Sequence, residues 1–156
     1  MSIIEEKNLT VIRKGSPVPN LPYLPIKEKI LGKSYDLTVV FCSPKESQER
    51  NRAYREKDYP TNILSFPLEK NEGEIYICLS IARRDAKKFE MTYEEFLHLL
   101  FIHGCLHLKG LDHGSTMEGE ERKLTKAFLD GTNNRNRTGH RHIINSRRRM
   151  RIQTGK

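Results

Sequence analysis

The chain has 156 residues and a formal net charge of +8, from 28 Lys and Arg against 20 Asp and Glu. This length is typical of a single domain. The excess charge lies in residues 131–156, which hold eight basic side chains and no acid, so the first 130 residues are neutral. Apolar runs fall short of the ~20 residues of a membrane span, and MSIIEEKNL lacks the pattern of a signal peptide. We expect a cytoplasmic protein with a folded domain at 1–130 and a basic, disordered extension at 131–156.

The first half of the domain predicts two helices and one strand. Residues 21–31 carry apolar side chains near helical spacing and predict a short helix. Residues 35–42 (YDLTVVFC) are rich in β-branched and aromatic side chains, which favour a strand. Ser43 and Glu46 have the spacing of a capping box, with proline at the first helical position between them. A second helix is therefore predicted to run from there to about Tyr54.

The next segment predicts a β-hairpin followed by a helix. Residues 61–68 and 74–79 have the composition of strands, and the short polar segment 70–73 between them is typical of a turn. Beyond Ser80 the apolar positions change to helical spacing, which predicts an amphipathic helix.

Two further capping boxes predict the last helices. Thr92 with Glu95 opens a strongly apolar helix to about Leu108, and Ser115 with Glu118 opens another to about Leu129. The order of elements predicts an α+β domain with a small mixed sheet of about four strands and about five helices. The three cysteines, which lack C-x-x-C spacing, are predicted to be small buried side chains: Cys42, Cys78 and Cys105.

The most informative segment is residues 103–113, HGCLHLKGLDH. His103 and His107 are four residues apart, so their imidazoles lie on one face of a helix. Such pairs are often accidental, but Gly110 can end the helix and return His113 to the same point. Three neutral imidazoles predict a zinc-type site with a vacant fourth position.

This spacing matches the H-E-x-x-H-x-x-G-x-x-H metal sites, with one difference. Gly104 stands where those peptidases carry the glutamate that acts as general base, so a peptidase is disfavoured. His98 lies about 140° around the helix from His103 and is interpreted as a core histidine. Asp112 is a candidate to orient a liganding imidazole through its second nitrogen, although an exposed turn residue is an equal alternative.

The same segment is similar to the H-G-x-L-H-L-x-G-x-D-H signature of the YbeY family, the single-domain, metal-dependent bacterial endoribonucleases of ribosomal RNA maturation. Residues 51–55 (NRAYR) with 60–67 (PTNILSFP) resemble that family's second block, and residues 73–75 (GEI) resemble its third. The resemblance covers roughly residues 34–129. One departure is Arg50, where the family usually has leucine.

The resemblance implies a compact α+β fold in which His103, His107 and His113 bind one Zn²⁺ at the end of a groove. It implies catalytic roles for His103 and for Arg55, whose guanidinium suits the negative charge that develops during phosphodiester cleavage. The implied activity is single-strand-specific endoribonuclease cleavage in small-subunit ribosomal RNA processing, ribosome maturation and quality control. The implied partners are RNA, the small ribosomal subunit and an Era-like GTPase. The resemblance leaves open which group acts as the general base. It also leaves open whether the nucleophile is water or the 2′-hydroxyl of the RNA.

Two other functions are weighed against this one. The chain could be a non-catalytic ribosome-assembly binding factor with a structural zinc, or a zinc peptidase, which Gly104 disfavours. The basic tail is either an RNA-binding arm that releases counterions from phosphates or a dispensable extension. Its densest basic residues are the candidate RNA contacts: Arg147, Arg148, Arg149 and Arg151.

Overall fold

The computed structural model describes residues 1–133. They form five strands and five helices, so the predicted α+β class is confirmed. The elements in chain order are β1 (Ser2–Glu6), β2 (Leu9–Arg13), α1 (Tyr23–Leu31), β3 (Asp36–Cys42), α2 (Pro44–Arg55), β4 (Ile63–Glu69), β5 (Glu72–Cys78), α3 (Leu79–Lys88), α4 (Tyr93–Lys109) and α5 (Ser115–Asn133).

The five strands form one mixed sheet in the order β1-β2-β3-β5-β4. The pairs β1–β2 and β4–β5 are antiparallel, and β3 runs parallel to both β2 and β5. The antiparallel β4–β5 pair confirms the predicted hairpin. Because side chains alternate along a strand, the sheet presents two faces of different composition.

The helices divide unequally between these two faces. Ile63 and Ile75 point toward α4, as their methyl groups lie against Gly104. Phe66 and Tyr76 point to the opposite face, where they meet side chains of α2. Helix α4 also packs against α1, α3 and α5, so four helices form a layer on one face and α2 lies on the other.

Helix α4 is the centre of the core. Every residue from Phe96 to His107 is buried, which suits a helix surrounded by the sheet and three other helices. Thr92 caps its N-terminus by accepting a hydrogen bond from the backbone N–H of Glu95 at 3.2 Å, as predicted. Among residues 1–133, neither this helix nor any other has the length and apolar character needed to cross a bilayer.

The N-terminal hairpin, β1–β2, is the element that the sequence does not predict. Its first strand is an edge strand with exposed Glu5 and Glu6, so it lacks the apolar alternation of a half-buried strand. The turn places Asn8 at φ 60°, a left-handed conformation that asparagine tolerates better than most residues. The hairpin raises the strand count from about four to five.

Three local predictions need correction. The predicted capping box at Ser115 is wrong, because the helix already begins at Ser115 and the backbone N–H of Glu118 donates to the carbonyl of Gly114. The helix also continues to Asn133, beyond the predicted end. Cys42 is half-buried on the α2 side of the sheet, whereas the other two cysteines are buried as predicted.

Candidate active site

The C-terminal half of α4 and the turn after it bring the three predicted histidines together. His103 and His107 lie one turn apart, with their Nε2 atoms 3.1 Å from each other. Gly110 ends the helix at φ 107°, a left-handed conformation that reverses the chain. His113 then returns from the turn, and its ring centroid lies 4.7 Å from that of His107 and 5.3 Å from that of His103.

The donor set fits a divalent metal ion. One ring nitrogen from each histidine lies within 4.8 Å of the other two. Two nitrogens bound to one tetrahedral Zn²⁺ are about 3.3 Å apart, close to the 3.1 Å between His103 and His107. Within the described residues, no cysteine, aspartate or glutamate adds a fourth donor to this group. A three-histidine set leaves one position for water or substrate, as in catalytic zinc sites.

The burial of the triad gives it one open side. His103 and His107 are buried beneath α5 and the sheet, whereas His113 is exposed. An ion held by all three would therefore be fixed from the protein side and accessible from the solvent side. This geometry suits a large substrate that approaches from solution.

Glu121 is a residue of the site that sequence reasoning missed. Its carboxylate Oε1 accepts a hydrogen bond from Nδ1 of His103, and both side chains are buried. A proton held on Nδ1 leaves the lone pair on Nε2, the nitrogen that faces His107. The sequence feature that could have identified Glu121 is its helical register with Met117 and Leu124, which places an acid on the buried face of α5.

The electrostatic environment of His113 connects the triad to Arg55. Burial lowers the pKa of His113, and the neighbouring charges of His103 and Arg55 lower it further, while Glu121 and Asp112 oppose the change. The neutral imidazole, which is the metal-binding form, is thereby favoured. The influence of Arg55 also means that its guanidinium lies within electrostatic range of the triad.

Arg55 is held at the C-terminal end of α2 by buried polar contacts. Its Nη1 donates to the side-chain oxygen of Asn51 at 3.4 Å, and Asn51 Nδ2 donates to the carbonyl of Tyr59 at 2.8 Å. Ser47 anchors the same loop, because its hydroxyl donates to the carbonyl of Thr61 and accepts from the backbone N–H of Thr61. The motif segments 51–55 and 60–67 therefore act together to position one half-buried arginine.

Gly104 packs against the sheet. A Cβ atom added there would lie 2.9 Å from Ile63 Cδ1, 3.0 Å from Ile75 Cδ1 and 3.2 Å from Ser65 Oγ. Ordinary van der Waals contacts between carbon atoms are about 3.5–4.0 Å. A side chain at the position where zinc peptidases carry their catalytic glutamate would therefore have to displace the ends of the Ile63 and Ile75 side chains.

The remaining candidates are not members of the three-histidine group, and some lie outside the described residues. His98 is buried and Nδ1 contacts the carbonyl of Glu94 at 2.7 Å, in agreement with its interpretation as a core histidine. Asp112 is exposed in the turn, and its role in orienting a ligand stays a prediction. The four arginines predicted to contact RNA, at 147–149 and 151, lie outside residues 1–133.

The chain is similar to known proteins over this same region. The family model described as Endoribonuclease YbeY matches residues 21–130. Endoribonuclease YbeY of Colwellia psychrerythraea is 40% identical over 56% of this chain and 61% of that protein. Endoribonuclease YbeY of Thermotoga neapolitana is 42% identical over 66% of each chain, and that of Campylobacter jejuni is 40% identical over 63% of this chain and 76% of that protein. The matched segment thus spans less than two thirds of the first two relatives.

A solved structure has the same fold. The solution structure of a Thermotoga maritima protein superimposes with a TM-score of 0.55 and 30% sequence identity, over 76% of this chain and 89% of that chain. The range matched by the family model includes the three histidines, Arg55 and the acidic residue Glu121. Because the family model covers most of the sequence, the chain belongs to the endoribonuclease YbeY family.

Proposed function

We propose that this protein is a metal-dependent endoribonuclease that cleaves single-stranded RNA in small-subunit ribosomal RNA processing, ribosome maturation and quality control. The observation that carries the proposal is the three-histidine group with one solvent-facing side, within electrostatic range of Arg55. The endoribonuclease names of the relatives support the reaction class.

The proposed metal ligands are His103, His107 and His113, and the proposed ion is Zn²⁺, which binds neutral imidazole well. When bound, such an ion supplies Lewis-acid polarisation of a phosphoryl oxygen and a lowered pKa for a water molecule. Glu121 holds the proton of His103 on Nδ1, so that the ligand nitrogen stays unprotonated. His103 is therefore both a ligand and the residue through which α5 stabilises the site.

Arg55 is the proposed stabiliser of the transition state. Cleavage of a phosphodiester bond increases the negative charge on the phosphoryl oxygens, and a guanidinium offers them a permanent charge with aligned N–H donors. The contact with Asn51 restricts the side chain before substrate binds, which lowers the entropic cost of positioning it.

The cellular setting proposed here follows from the family resemblance. The protein acts in the cytoplasm on RNA of the small ribosomal subunit, with an Era-like GTPase as a further partner. The basic segment 131–156 supports RNA as the substrate, because its eight cations can replace the counterions of phosphates.

The test is metal analysis combined with RNA cleavage by the full-length protein. We expect one zinc per chain and cleavage of an end-labelled single-stranded RNA but not of a duplex. His107→Ala should lose both metal and cleavage. Arg55→Ala should keep the metal and lose about 10²–10³-fold in cleavage rate, the usual effect of removing one transition-state donor. Arg83→Ala, an exposed arginine that lies over the ring of Tyr93, is the matched control and should cleave normally.

Three results would contradict the proposal. Cleavage that survives in both His107→Ala and Arg55→Ala would come from a contaminating nuclease. Variants that lose cleavage but restore ribosome maturation in cells would favour a binding factor with a structural zinc. Chelator-sensitive hydrolysis of a peptide would favour a peptidase, against the steric exclusion at Gly104.

A further inference from the structure

A row of aromatic rings lies on the face of the sheet that α2 covers. The ring of Tyr54 lies 4.9 Å from that of Phe66, and the ring of Phe66 lies 5.7 Å from that of Tyr76. Arg50 closes the row, with its guanidinium carbon 3.9 Å from the centroid of Tyr76. These four residues are called the aromatic row below.

The outer end of the aromatic row is open to solvent. Tyr54 is 66% exposed, and Phe66 behind it is half-buried, whereas Tyr76 is buried under Arg50. A tyrosine that is held against a second ring and presents its other face to water does not contribute to the packing of the core. An aromatic ring of this kind is a suitable surface for stacking a planar ligand.

Positive charge beside Tyr54 selects the ligand. Tyr54 directly precedes Arg55 in α2. Arg50, one helical turn before Tyr54, adds a second positive charge at the other end of the row. Aromatic faces alternating with arginines are typical of surfaces that bind single-stranded nucleic acid without regard to sequence.

Arg50 covers the ring of Tyr76 and brings a positive charge to the row. Glu74, an acid in contact with the row, accepts a hydrogen bond from the hydroxyl of Tyr76 at 3.2 Å, behind the buried end. The row therefore combines an exposed aromatic side chain at Tyr54 with a positive charge at Arg50.

We propose that Tyr54, supported by Phe66 and flanked by Arg50 and Arg55, stacks an unpaired base of the RNA and so holds the single strand against the protein. This inference rests on the proposed endoribonuclease function. It also gives a physical reason for a preference for single strands, since a base within a duplex presents no free face to a protein ring.

The chain has no tryptophan, which makes a direct test simple. In Tyr54→Trp the new indole is the only one, and a base stacked on it should quench its fluorescence when a single-stranded octaribonucleotide is added. Ile3→Trp is the matched control, because Ile3 is exposed on the opposite edge of the sheet, and its fluorescence should not change. Quenching that is equal in both variants would overturn the proposal.

Affinity gives the second measurement, on the full-length protein by fluorescence anisotropy. Tyr54→Ala should weaken binding of the octamer at least fivefold, about the effect of removing one stacked ring, and Tyr54→Phe should restore it. An octamer that lacks one base should bind more weakly to the native protein and show no further weakening with Tyr54→Ala. Circular dichroism checks that each variant is folded.

The outcomes separate this inference from the proposed function. If the native protein cleaves RNA and Tyr54→Ala binds and cleaves equally well, the stacking role is wrong and the endoribonuclease function stands. If the native protein neither binds nor cleaves RNA, both are wrong. If Tyr54→Ala binds free RNA normally but has reduced affinity for the small ribosomal subunit, the aromatic row binds protein and the stacking role is wrong.

Discussion

The steric exclusion at Gly104 can be tested with a pair of glycine substitutions. Gly104→Ala adds one carbon that approaches three core atoms to 2.9–3.2 Å, an overlap of about 0.5–1 Å with each. Overpacking of this kind costs about 1–3 kcal/mol, while alanine in place of glycine in a helix contributes about 1 kcal/mol. The net expectation is a decrease of about 0–2 kcal/mol in the free energy of unfolding.

Gly119→Ala in α5 is the control, because a Cβ atom there meets no atom within 4 Å. It should stabilise the protein by up to about 1 kcal/mol. Both variants gain the same helix-propensity contribution. The difference between their free energies of unfolding therefore measures the cost of the steric overlap at position 104, which we expect to be about 1–3 kcal/mol. Urea unfolding followed by circular dichroism measures both. A Gly104→Ala protein as stable as Gly119→Ala would refute the steric argument.

The same reasoning extends to glutamate at position 104. Gly104→Glu would place a carboxylate among the side chains of Ile63 and Ile75, both fully buried. Burial of an unpaired charge costs several kcal/mol, comparable with the whole stability of a domain. We expect this variant to lose cooperative unfolding and to gain no peptidase activity. The glycine is therefore a requirement of the fold as well as a difference from the peptidases.

The remaining predictions concern the metal, the thiols and the tail. Glu121→Gln should lower the affinity for zinc about 10–100-fold in a chelator competition, whereas Glu120→Gln should not change it. Equal zinc affinities of the two variants would show that the hydrogen bond to His103 does not support this ligand. Burial raises the pKa of Cys42 to about 12, so this thiol should resist iodoacetamide at pH 7 until the protein unfolds. Rapid labelling of the folded protein would contradict the burial of this thiol. Removal of residues 134–156 should make the affinity for RNA less dependent on salt. The slope of log affinity against log salt concentration should decrease by about 0.7 for each RNA phosphate that the tail neutralises. An unchanged slope would identify a dispensable extension.

The features that the sequence predicts well depend on residues close together in the chain. The caps at Ser43 and Thr92 and the left-handed end of α4 at Gly110 each involve fewer than five neighbouring residues. The pair His103 and His107 is a consequence of the helical period alone. These are local interactions, so periodicity and capping chemistry suffice to predict them.

The features that were missed depend on residues that are distant in sequence. Glu121 reaches His103 across 18 residues, and the row that joins Arg50 to Tyr76 exists only because α2 crosses the β4–β5 hairpin. The β1–β2 hairpin is stabilised by parallel pairing of β2 with β3, and the Leu9–Leu37 pair spans 28 positions. No local pattern contains this information, although a buried acid in an amphipathic helix is a signal that can be sought.

The site combines a rigid half with an adaptable half, and the two halves have different tasks. His103 and His107 belong to a helix that is buried on all sides, and Glu121 fixes the proton of the first, so their nitrogens are placed before any ion binds. His113 is exposed in the turn after Gly110, so the small change needed to complete the coordination can occur there. Arg55 approaches from a different element on the other face of the sheet, and it is held through Asn51. A molecule that approaches from the His113 side would therefore meet a preformed pair of nitrogen donors, so part of the organisation of the site is already present in the folded protein.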